Sequence, residues 1–325
     1  MFKKFTWNEN ITQSYTSEYG SQFNNIDTTD NFNKADGTTF AMNAGIHQYV
    51  IKPSGKIPAI FWGDSSVIQV TSGRFVLDFS RAAASSAVIN ASSIKIGGTK
   101  NFNATLEIQG GLDFLTNGSV GIASNGLLNV NSLQNHFRFG DTHQSVKLEN
   151  NARLSVSTIS SPESNGNIHG PFELNDESSA EIRVSSLNHD KNAIYSVKDG
   201  AELLIQTDKI EITTQSLIFN LYGGKPQVSI LGFTSKYCDI TSFGIKKSTH
   251  LPGACFNFIT TDGKNEGEVL LSCSYNSDGD IFTDPGMIMF WIKANQIVYI
   301  NGAPADTDKI NFNYDNDFLV ISLKE

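Results

Sequence analysis

The chain has 325 residues, of which 39% are hydrophobic and 18% are charged. That balance excludes an intrinsically disordered chain, and abundant Asn, Ser, Thr and Gly favour an all-β protein over a helical one. The formal net charge of −9 argues against the phosphate backbone of a nucleic acid as a partner. No stretch of the sequence is apolar enough to predict a membrane span.

Residues 1–65 are predicted to form a polar entry segment. Its first two thirds are rich in Asn and Thr, with aromatic residues spaced through them. An open solenoid end exposes strand edges and apolar core, so we expect this segment to cap the first coil.

The N-terminal residues do not resemble a signal peptide. Met1–Lys4 is positively charged, but polar residues follow where an apolar stretch should begin. We therefore expect no leader of the general export route. That expectation leaves a cytoplasmic, a virion-associated and a non-classically exported protein as alternatives.

A motif of six residues returns seven times within residues 66–235. In each copy a turn-forming residue and a small residue precede two apolar residues that are separated by one position. The copies are Ser72–Leu77, Asn103–Ile108, Asn125–Val130, Asn151–Val156, Ser179–Val184, Gly200–Ile205 and, more loosely, Lys225–Ile230. They lie roughly two to three dozen residues apart, which is the period range of solenoids.

The motif has a direct physical interpretation. Leu154 and Val156 flank a polar residue, so both side chains share one face of a strand and we expect that face to be buried. The first residue is Ser, Asn or Gly in six copies, and such residues suit the corner of a coil. Stacked corners are expected to join their side-chain amides into a ladder along Asn103, Asn125 and Asn151.

Further apolar pairs between the copies predict additional strands. Those that precede a motif are Val120 with Ile122, Val146 with Leu148, Phe172 with Leu174, and Tyr195 with Val197. Three short strands per coil, separated by polar corners, are typical of a parallel β-helix. The sequence therefore predicts an all-β solenoid over residues 66–235.

The pattern changes in residues 236–325. Met287–Ile300 is predicted to form two strands joined at Ala294 and Asn295, in an antiparallel hairpin. Phe312–Tyr314 and Phe318–Leu323 are predicted to form another pair. This segment is therefore expected to be a C-terminal antiparallel β cap, and final irregular coils are the alternative.

Three cysteines, Cys238, Cys255 and Cys273, lie in the last third of the chain. Their number is odd and their spacing matches no metal-binding pattern. We expect reduced and partly buried thiols, and one disulfide with a leftover thiol is the alternative.

Two histidines recur at equivalent positions of successive coils and are candidate functional residues. His143 lies seventeen residues after Gly126, and His169 lies seventeen residues after Ala152. If the coils are in register, the two imidazoles are neighbours about 4.8 Å apart. Asp141 precedes His143 by two residues, and such a group could bind a metal or serve as acid and base.

Three more residues are expected on the adjacent surface as binding residues: Arg138, His189 and Asp190. Decoration of exposed loops is the favoured interpretation of all these residues, so no catalytic residue is assigned. Asn276–Asp280 shares part of a calcium-loop pattern but lacks the distal Glu, so a solvated turn is favoured and calcium is the alternative.

The stretch Ser145–Val156 resembles the right-handed β-helix coils of bacterial autotransporter and two-partner-secreted adhesins. It is also similar to coils in phage tailspikes and in pectate-lyase-like enzymes. The resemblance implies a right-handed coil and a surface that presents side chains to a partner. It carries over no catalytic residue, because the paired Asp residues and the Gly-His-Gly of the pectin hydrolases are absent.

The function predicted from the sequence is a non-enzymatic binding or adhesive surface for glycan or protein partners. For a phage-tail component a homotrimer is expected. One alternative is a β-helix enzyme that degrades or modifies a polysaccharide, as a lyase or a glycoside hydrolase, near Asp141, His143 and His169. The other is a protein-binding solenoid, for example one used in competition between bacteria.

Overall fold

A computed structural model describes residues 1–26, 33–54, 59–82, 84–89, 93–140, 145–189, 193–212, 216–245, 251–274 and 284–324. The chain divides into two compact units, Met1–Ser164 (unit 1) and Asn165–Glu325 (unit 2). The protein is nearly all β, with parallel stacked coils and a C-terminal group of antiparallel strands. These observations confirm the predicted fold class, and the handedness of the coil stays a prediction.

Unit 1 contains fourteen strands among its described residues. They are β1 (Gln13–Thr16), β2 (Gln22–Ile26), β3 (Thr39–Pro53), β4 (Ala59–Trp62), β5 (Val67–Asp78), β6 (Ser86–Ile89), β7 (Ser93–Ile96), β8 (Ala104–Gln109), β9 (Asp113–Thr116), β10 (Ser119–Ile122), β11 (Gly126–Leu133), β12 (His136–Phe139), β13 (Val146–Leu148) and β14 (Arg153–Thr158). A 3-10 helix spans Ser17–Tyr19.

The strands of unit 1 stack in three faces. The first face contains β1, β3, β5, β7, β10 and β13, each paired in parallel with the next. The second face contains β2, β3, β5, β8, β11 and β14. The third face contains β4, β6, β9 and β12. The long strands β3 and β5 each belong to two faces. Parallel pairing starts before residue 65, because β1 and β2 both pair with β3. The predicted divisions at residues 65 and 235 stay predictions.

The register of the repeat in unit 1 is the one that the motif predicts. Leu128 pairs with Leu106 on one side and with Leu154 on the other. Phe75 pairs with Leu106 in the same way. All four side chains are buried, so equivalent motif positions stack on one another inside the coil.

The predicted amide ladder has two members instead of three. Nδ2 of Asn151 donates to Oδ1 of Asn125 at 2.8 Å, and the backbone N–H of Asn125 donates to Oδ1 of Asn151 at 2.8 Å. Nδ2 of Asn125 instead donates to the carbonyl oxygen of Thr99 at 3.0 Å, so Asn103 stays outside the ladder. Asn125 has φ 55°, a left-handed conformation that Asn tolerates.

The first residues of the chain are held against the rest of unit 1 by one aromatic ring and one ammonium group. Phe5 is buried, with its ring centroid 5.1 Å from that of Tyr15. The buried Nζ of Lys34 donates to the carbonyl oxygens of Asn8 at 2.7 Å and Ile11 at 2.9 Å. These bonds hold Asn8 and Ile11 against Lys34 and satisfy the charge of a buried lysine. The predicted role of the segment as a cap stays a prediction.

The described part of unit 2 contains the remaining strands and one α-helix. They are β15 (Asn165–Ile168), β16 (Pro171–Leu174), β17 (Ser179–Arg183), β18 (Ser186–His189), β19 (Ile194–Lys198), β20 (Glu202–Gln206), β21 (Lys209–Ile212), β22 (Leu217–Tyr222), β23 (Gln227–Leu231), β24 (Ala254–Ile259), β25 (Glu268–Ser272), α1 (Pro285–Ala294), β26 (Val298–Ile300), β27 (Ala303–Pro304), β28 (Ile310–Asp315) and β29 (Phe318–Leu323). Two 3-10 helices span Thr241–Gly244 and Thr307–Lys309.

Unit 2 repeats the three-faced coil, but one motif copy is displaced. The motif aligns Ala180 with Ala201, whereas the strands pair Ala180 with Leu203 and Ile182 with Ile205. The displacement is two residues, so each side chain keeps its inward or outward direction. An alternating pattern cannot separate these two registers, because both bury the same apolar positions.

The C-terminal antiparallel strands are present as predicted at one place and absent at another. β28 and β29 pair antiparallel, and β29 also pairs antiparallel with β25. The predicted hairpin over Met287–Ile300 is wrong, because α1 occupies most of that stretch. The side chain of Asp284 accepts from the backbone N–H of Met287 at 2.9 Å, and Pro285 occupies the first turn. A capping side chain and a proline in the first turn both favour the start of a helix. The apolar residues that follow are continuous and do not alternate with polar ones, so their pattern does not indicate a strand.

Candidate functional site

Two rows of outward positions on the first face of unit 1 enclose a shallow groove of about 300 Å³. The first row is Gln69, Lys95, Gly121 and Lys147, which pair in register through β5, β7, β10 and β13. The second row is Thr71, Gly97, Ala123 and Glu149, two residues further along the chain in each case. Thr71 lies in β5, and the other three directly follow β7, β10 and β13. We call these eight residues the small-residue groove.

The groove exists because three of its central positions carry almost no side chain. Gly121 is exposed, and a Cβ atom added there would have no other atom within 4 Å. A Cβ atom at Gly97 would lie 3.2 Å from the methyl group of Ala123. The backbone and the edges of Ile96 and Ile122 therefore form the floor. Glycine weakens a strand interior and often marks a place where another molecule approaches the backbone closely.

Charged groups stand at the edges of this floor. Lys95 and Lys147 lie on either side of Gly121 along the coil axis, so their Cα atoms are ~10 Å apart, which is two strand spacings. Nζ of Lys147 lies 2.5 Å from Oε1 of Glu149, and these side chains are 47% and 43% exposed. An exposed pair of this kind contributes about 0–1 kcal/mol, so the ammonium group of Lys147 can exchange its partner for a ligand.

The patch that was predicted around the histidines lies partly outside the described residues, so its assembly stays a prediction. Asp141, His143 and Asp190 lie outside the described residues, so the pairing of His143 with His169 stays a prediction. Arg138 lies on the third face of unit 1, where Nη2 donates to Oδ1 of Asn117 at 2.8 Å. His169 lies in unit 2 and is buried.

His189 is a core residue, and its predicted position on the surface is wrong. It ends β18 opposite Ile212, and only 1% of the residue is exposed. Its Nε2 lies 2.9 Å from the hydroxyl oxygen of Tyr195. Burial, with a smaller contribution from His169, lowers the pKa of His189 to about 3. His189 points inward because it lies two residues after the buried Leu187 on the same strand. The prediction of an exposed loop here did not take Leu187 into account.

The three cysteines are buried and free, which confirms the predicted buried thiols. Burial raises the pKa of Cys255 to about 12 and that of Cys273 to about 11, and it also raises the pKa of Cys238. A thiol is nucleophilic only as a thiolate, so none of them is poised for nucleophilic attack near neutral pH.

No group of three or more His, Cys, Asp or Glu side chains in the described ranges is arranged to hold a metal ion. The partial calcium pattern of Asn276–Asp280 lies outside those ranges. Among the helices that the structure describes, none is long and apolar enough to cross a membrane.

The small-residue groove was missed in the sequence, although a signal for it is present. Positions 69, 95, 121 and 147 are spaced by 26 residues, and so are positions 71, 97, 123 and 149. Titratable residues at equivalent positions of successive coils point to the histidines instead. The glycines, which leave the floor of the groove open, carry no titratable group.

The fold places the chain in the class of parallel β-solenoid proteins. Comparisons with known protein families, with curated proteins and with solved structures found no match. The geometry of the small-residue groove is therefore the main indication of function.

Proposed function

We propose that the protein is a non-enzymatic binding solenoid that holds a glycan chain in the small-residue groove. The observation that carries the proposal is the open strip at Gly97, Gly121 and Ala123 between in-register polar side chains. A sugar ring has a carbon-rich face and polar edges. The groove offers the matching surfaces, which are a backbone and aliphatic floor with polar rims.

The direction of the groove favours a polymer over a small molecule. Its rows run across four strands, β5, β7, β10 and β13, so equivalent positions recur every ~4.8 Å along the coil axis. A shallow groove encloses little of a small ligand, whereas a chain can contact several rungs at once. Contacts repeated along a polymer give useful affinity even where each contact is weak. This is the property that an adhesive surface requires.

The titratable residues of the groove fit binding better than hydrolysis. Cleavage of a glycosidic bond commonly uses two carboxyl groups on opposite sides of the bond. Among the described residues that line the groove, Glu149 is the one carboxylate, and Lys147 pairs with it. The enzymatic alternative depends on Asp141 and His143 and stays a prediction.

The proposal is tested by binding of the full chain to a glycan array, with Gly121→Val and Ser155→Val as matched variants. Val at Gly121 fills the floor without a clash, whereas Ser155 faces outward on the second face, away from the groove. We expect Gly121→Val to weaken glycan binding at least tenfold and Ser155→Val to leave it unchanged.

Two results would overturn the proposal. One is equal binding by wild type and Gly121→Val, which would move the ligand away from the groove. The other is the release of reducing ends or unsaturated products from a polysaccharide that the protein binds, which would show an enzyme.

A second candidate function is protein binding at α1, which the apolar exposed surface of that helix favours. Met287 is 44% exposed and Phe290 is 66% exposed, one turn apart. Apolar side chains of this size on a surface often mark a contact with another protein. Light scattering of wild type and Phe290→Ser tests self-association, including the predicted homotrimer. A monomeric wild type would exclude the homotrimer.

A further inference from the structure

We infer that the small-residue groove selects glycans that carry acid groups, either carboxylate or sulfate. This inference rests on the proposed function and adds the chemical class of the ligand. It is carried by the placement of two ammonium groups on opposite sides of the open position at Gly121.

The positions of the lysines define where an acid group binds. Lys95 lies one strand before Gly121 and Lys147 lies one strand after it, in the same outward row. A sugar that rests on Gly121 therefore has a long, flexible cation on each side along the coil axis. Either ammonium group can reach a carboxylate or a sulfate on that sugar, and charge-assisted hydrogen bonds are the stronger kind.

The local charge of the groove differs in sign from that of the whole chain. The groove has two lysines against the single carboxylate of Glu149, whereas the chain has a formal net charge of −9. An acidic polymer is repelled by most of such a surface, so a cationic strip within it selects both the place and the orientation of binding.

Glu149 opposes an acidic ligand, and this gives the inference a second, independent test. Its carboxylate pairs with Lys147 and adds a negative charge at one end of the groove. Removing that charge takes away the ionic partner at Glu149 and reduces the repulsion of an acidic ligand. Glu149→Gln is therefore expected to strengthen acidic-glycan binding, whereas Lys95→Gln and Lys147→Gln are expected to weaken it.

Unit 2 supplies matched controls for all three variants. Lys209 and Glu211 form the same Lys-x-Glu pair on β21, with Nζ 2.5 Å from Oε1 and similar exposure. Lys209→Gln and Glu211→Gln therefore make the same changes in charge at a site outside the groove.

Calorimetry of the full chain would compare three polymers of similar length: polygalacturonate (carboxylated), dextran sulfate (sulfated) and dextran (neutral). We expect tighter binding of at least one acidic polymer than of dextran. Lys95→Gln should weaken that binding about five- to tenfold, Glu149→Gln should strengthen it severalfold, and the unit 2 variants should leave it unchanged. The acidic polymer that binds identifies the acid group.

Failure of this inference is distinguishable from failure of the proposed function. Equal binding of all three polymers, abolished by Gly121→Val, would leave the groove as a glycan site and overturn the acid selectivity. Equal weakening by Lys95→Gln and Lys209→Gln would show unspecific attraction and would also overturn it. Acidic binding that Gly121→Val does not change, or no binding of any polymer, would overturn both.

Discussion

The imidazole of His189 and the hydroxyl group of Tyr195 form a hydrogen bond of 2.9 Å inside the core of unit 2. Both residues are buried, and the ring of Tyr195 stacks on Phe219 with centroids 5.0 Å apart. A buried imidazole is accommodated in its neutral form, because burial penalises the charged form. This pair links the stability of the coil to pH.

Acidification is expected to destabilise the protein through His189. Its pKa is about 3 when folded, against about 6.5 in an unfolded chain, so the unfolded state binds more protons between these values. Stability should therefore fall as the pH drops below about 6.5, by about 2 kcal/mol at pH 5. Urea unfolding at pH 7 and pH 5 measures the loss. The double variant His189→Leu/Tyr195→Phe should lose about 2 kcal/mol less, and an equal loss in both proteins would contradict the assignment.

Asp208 is expected to be the anchor of residues 232–237. Its Oδ1 accepts from the backbone N–H groups of Phe233 and Thr234 at 2.8 Å and of Ser235 at 2.7 Å. Burial opposes ionisation, but the hydrogen bonds from Thr234 and Ser235 outweigh it and hold the pKa of Asp208 below its ordinary value. The stabilisation is therefore present above about pH 3.9 and is lost as the pH falls through the lower folded-state pKa.

The variant Asp208→Ala should cost about 2–3 kcal/mol at pH 7, because three backbone donors lose a charged acceptor. The cost should shrink as the pH falls through the pKa of the folded carboxyl group. Chemical denaturation of wild type and variant across that range measures both values. A cost that does not change with pH would show that the charge of Asp208 does not contribute.

The amide pair at Asn125 and Asn151 is expected to stabilise the corner of unit 1. Asn151→Ala removes the hydrogen bond to Asn125 Oδ1 and the acceptor for its backbone N–H, at a cost of about 1–2 kcal/mol. Asn103→Ala is the matched control at the equivalent corner, outside the ladder, and should cost less than about 0.5 kcal/mol. Equal midpoints of urea unfolding for the two variants would contradict a role for the ladder.

The thiols are expected to be protected from labelling until the coil unfolds. Cys238, Cys255 and Cys273 are buried, and their raised pKa values disfavour the thiolate. An aromatic disulfide reagent should therefore label no thiol of the native protein rapidly and all three in denaturant. Rapid labelling of one thiol at neutral pH would show an opening that the fold does not contain.

A side chain at Gly121 should be tolerated, unlike one at Gly73. Gly121→Val adds a β-favouring side chain in open space and should raise stability by up to about 1 kcal/mol. Gly73 has φ 87°, and an added Cβ atom would lie 2.6 Å from the carbonyl oxygen of His47. Gly73→Val should therefore lower the melting temperature strongly. A similar loss in both variants would show that the groove position is also structurally required.

Much of the fold is predictable from the sequence, because in a solenoid local pattern and tertiary position coincide. The stacking of Leu106, Leu128 and Leu154 follows from one motif, since each copy meets its equivalent in the next coil. The same argument fails for the register of Ala180. Shifting a strand by two residues preserves every inward position, so apolar alternation carries no information about that choice.

The errors have local physical causes. The stretch from Met287 to Ile292 is a continuous apolar run, so hydrophobicity alone does not separate a strand from a helix there. The local signals for the helix are the cap at Asp284 and Pro285 in the first turn. His189 is polar and has polar neighbours in sequence, yet the alternation of side chains along β18 directs it into the core. The groove at Gly121 was not predicted, because it is formed by the absence of side chains and not by the presence of chemical groups.

The constant spacing of 26 residues through Lys95, Gly121 and Lys147 also bears on how such a surface changes during evolution. Removing residues 97–122 from the gene would delete one whole coil and join equivalent corners, so that β13 would stack on β7. The two lysines would become immediate neighbours and the groove would close, while the apolar stacking would be retained. Duplicating the same stretch would add a second glycine rung and lengthen the groove. The length of the groove, and of the ligand segment proposed to bind in it, can therefore be set by the copy number of a coil, independently of changes to single residues.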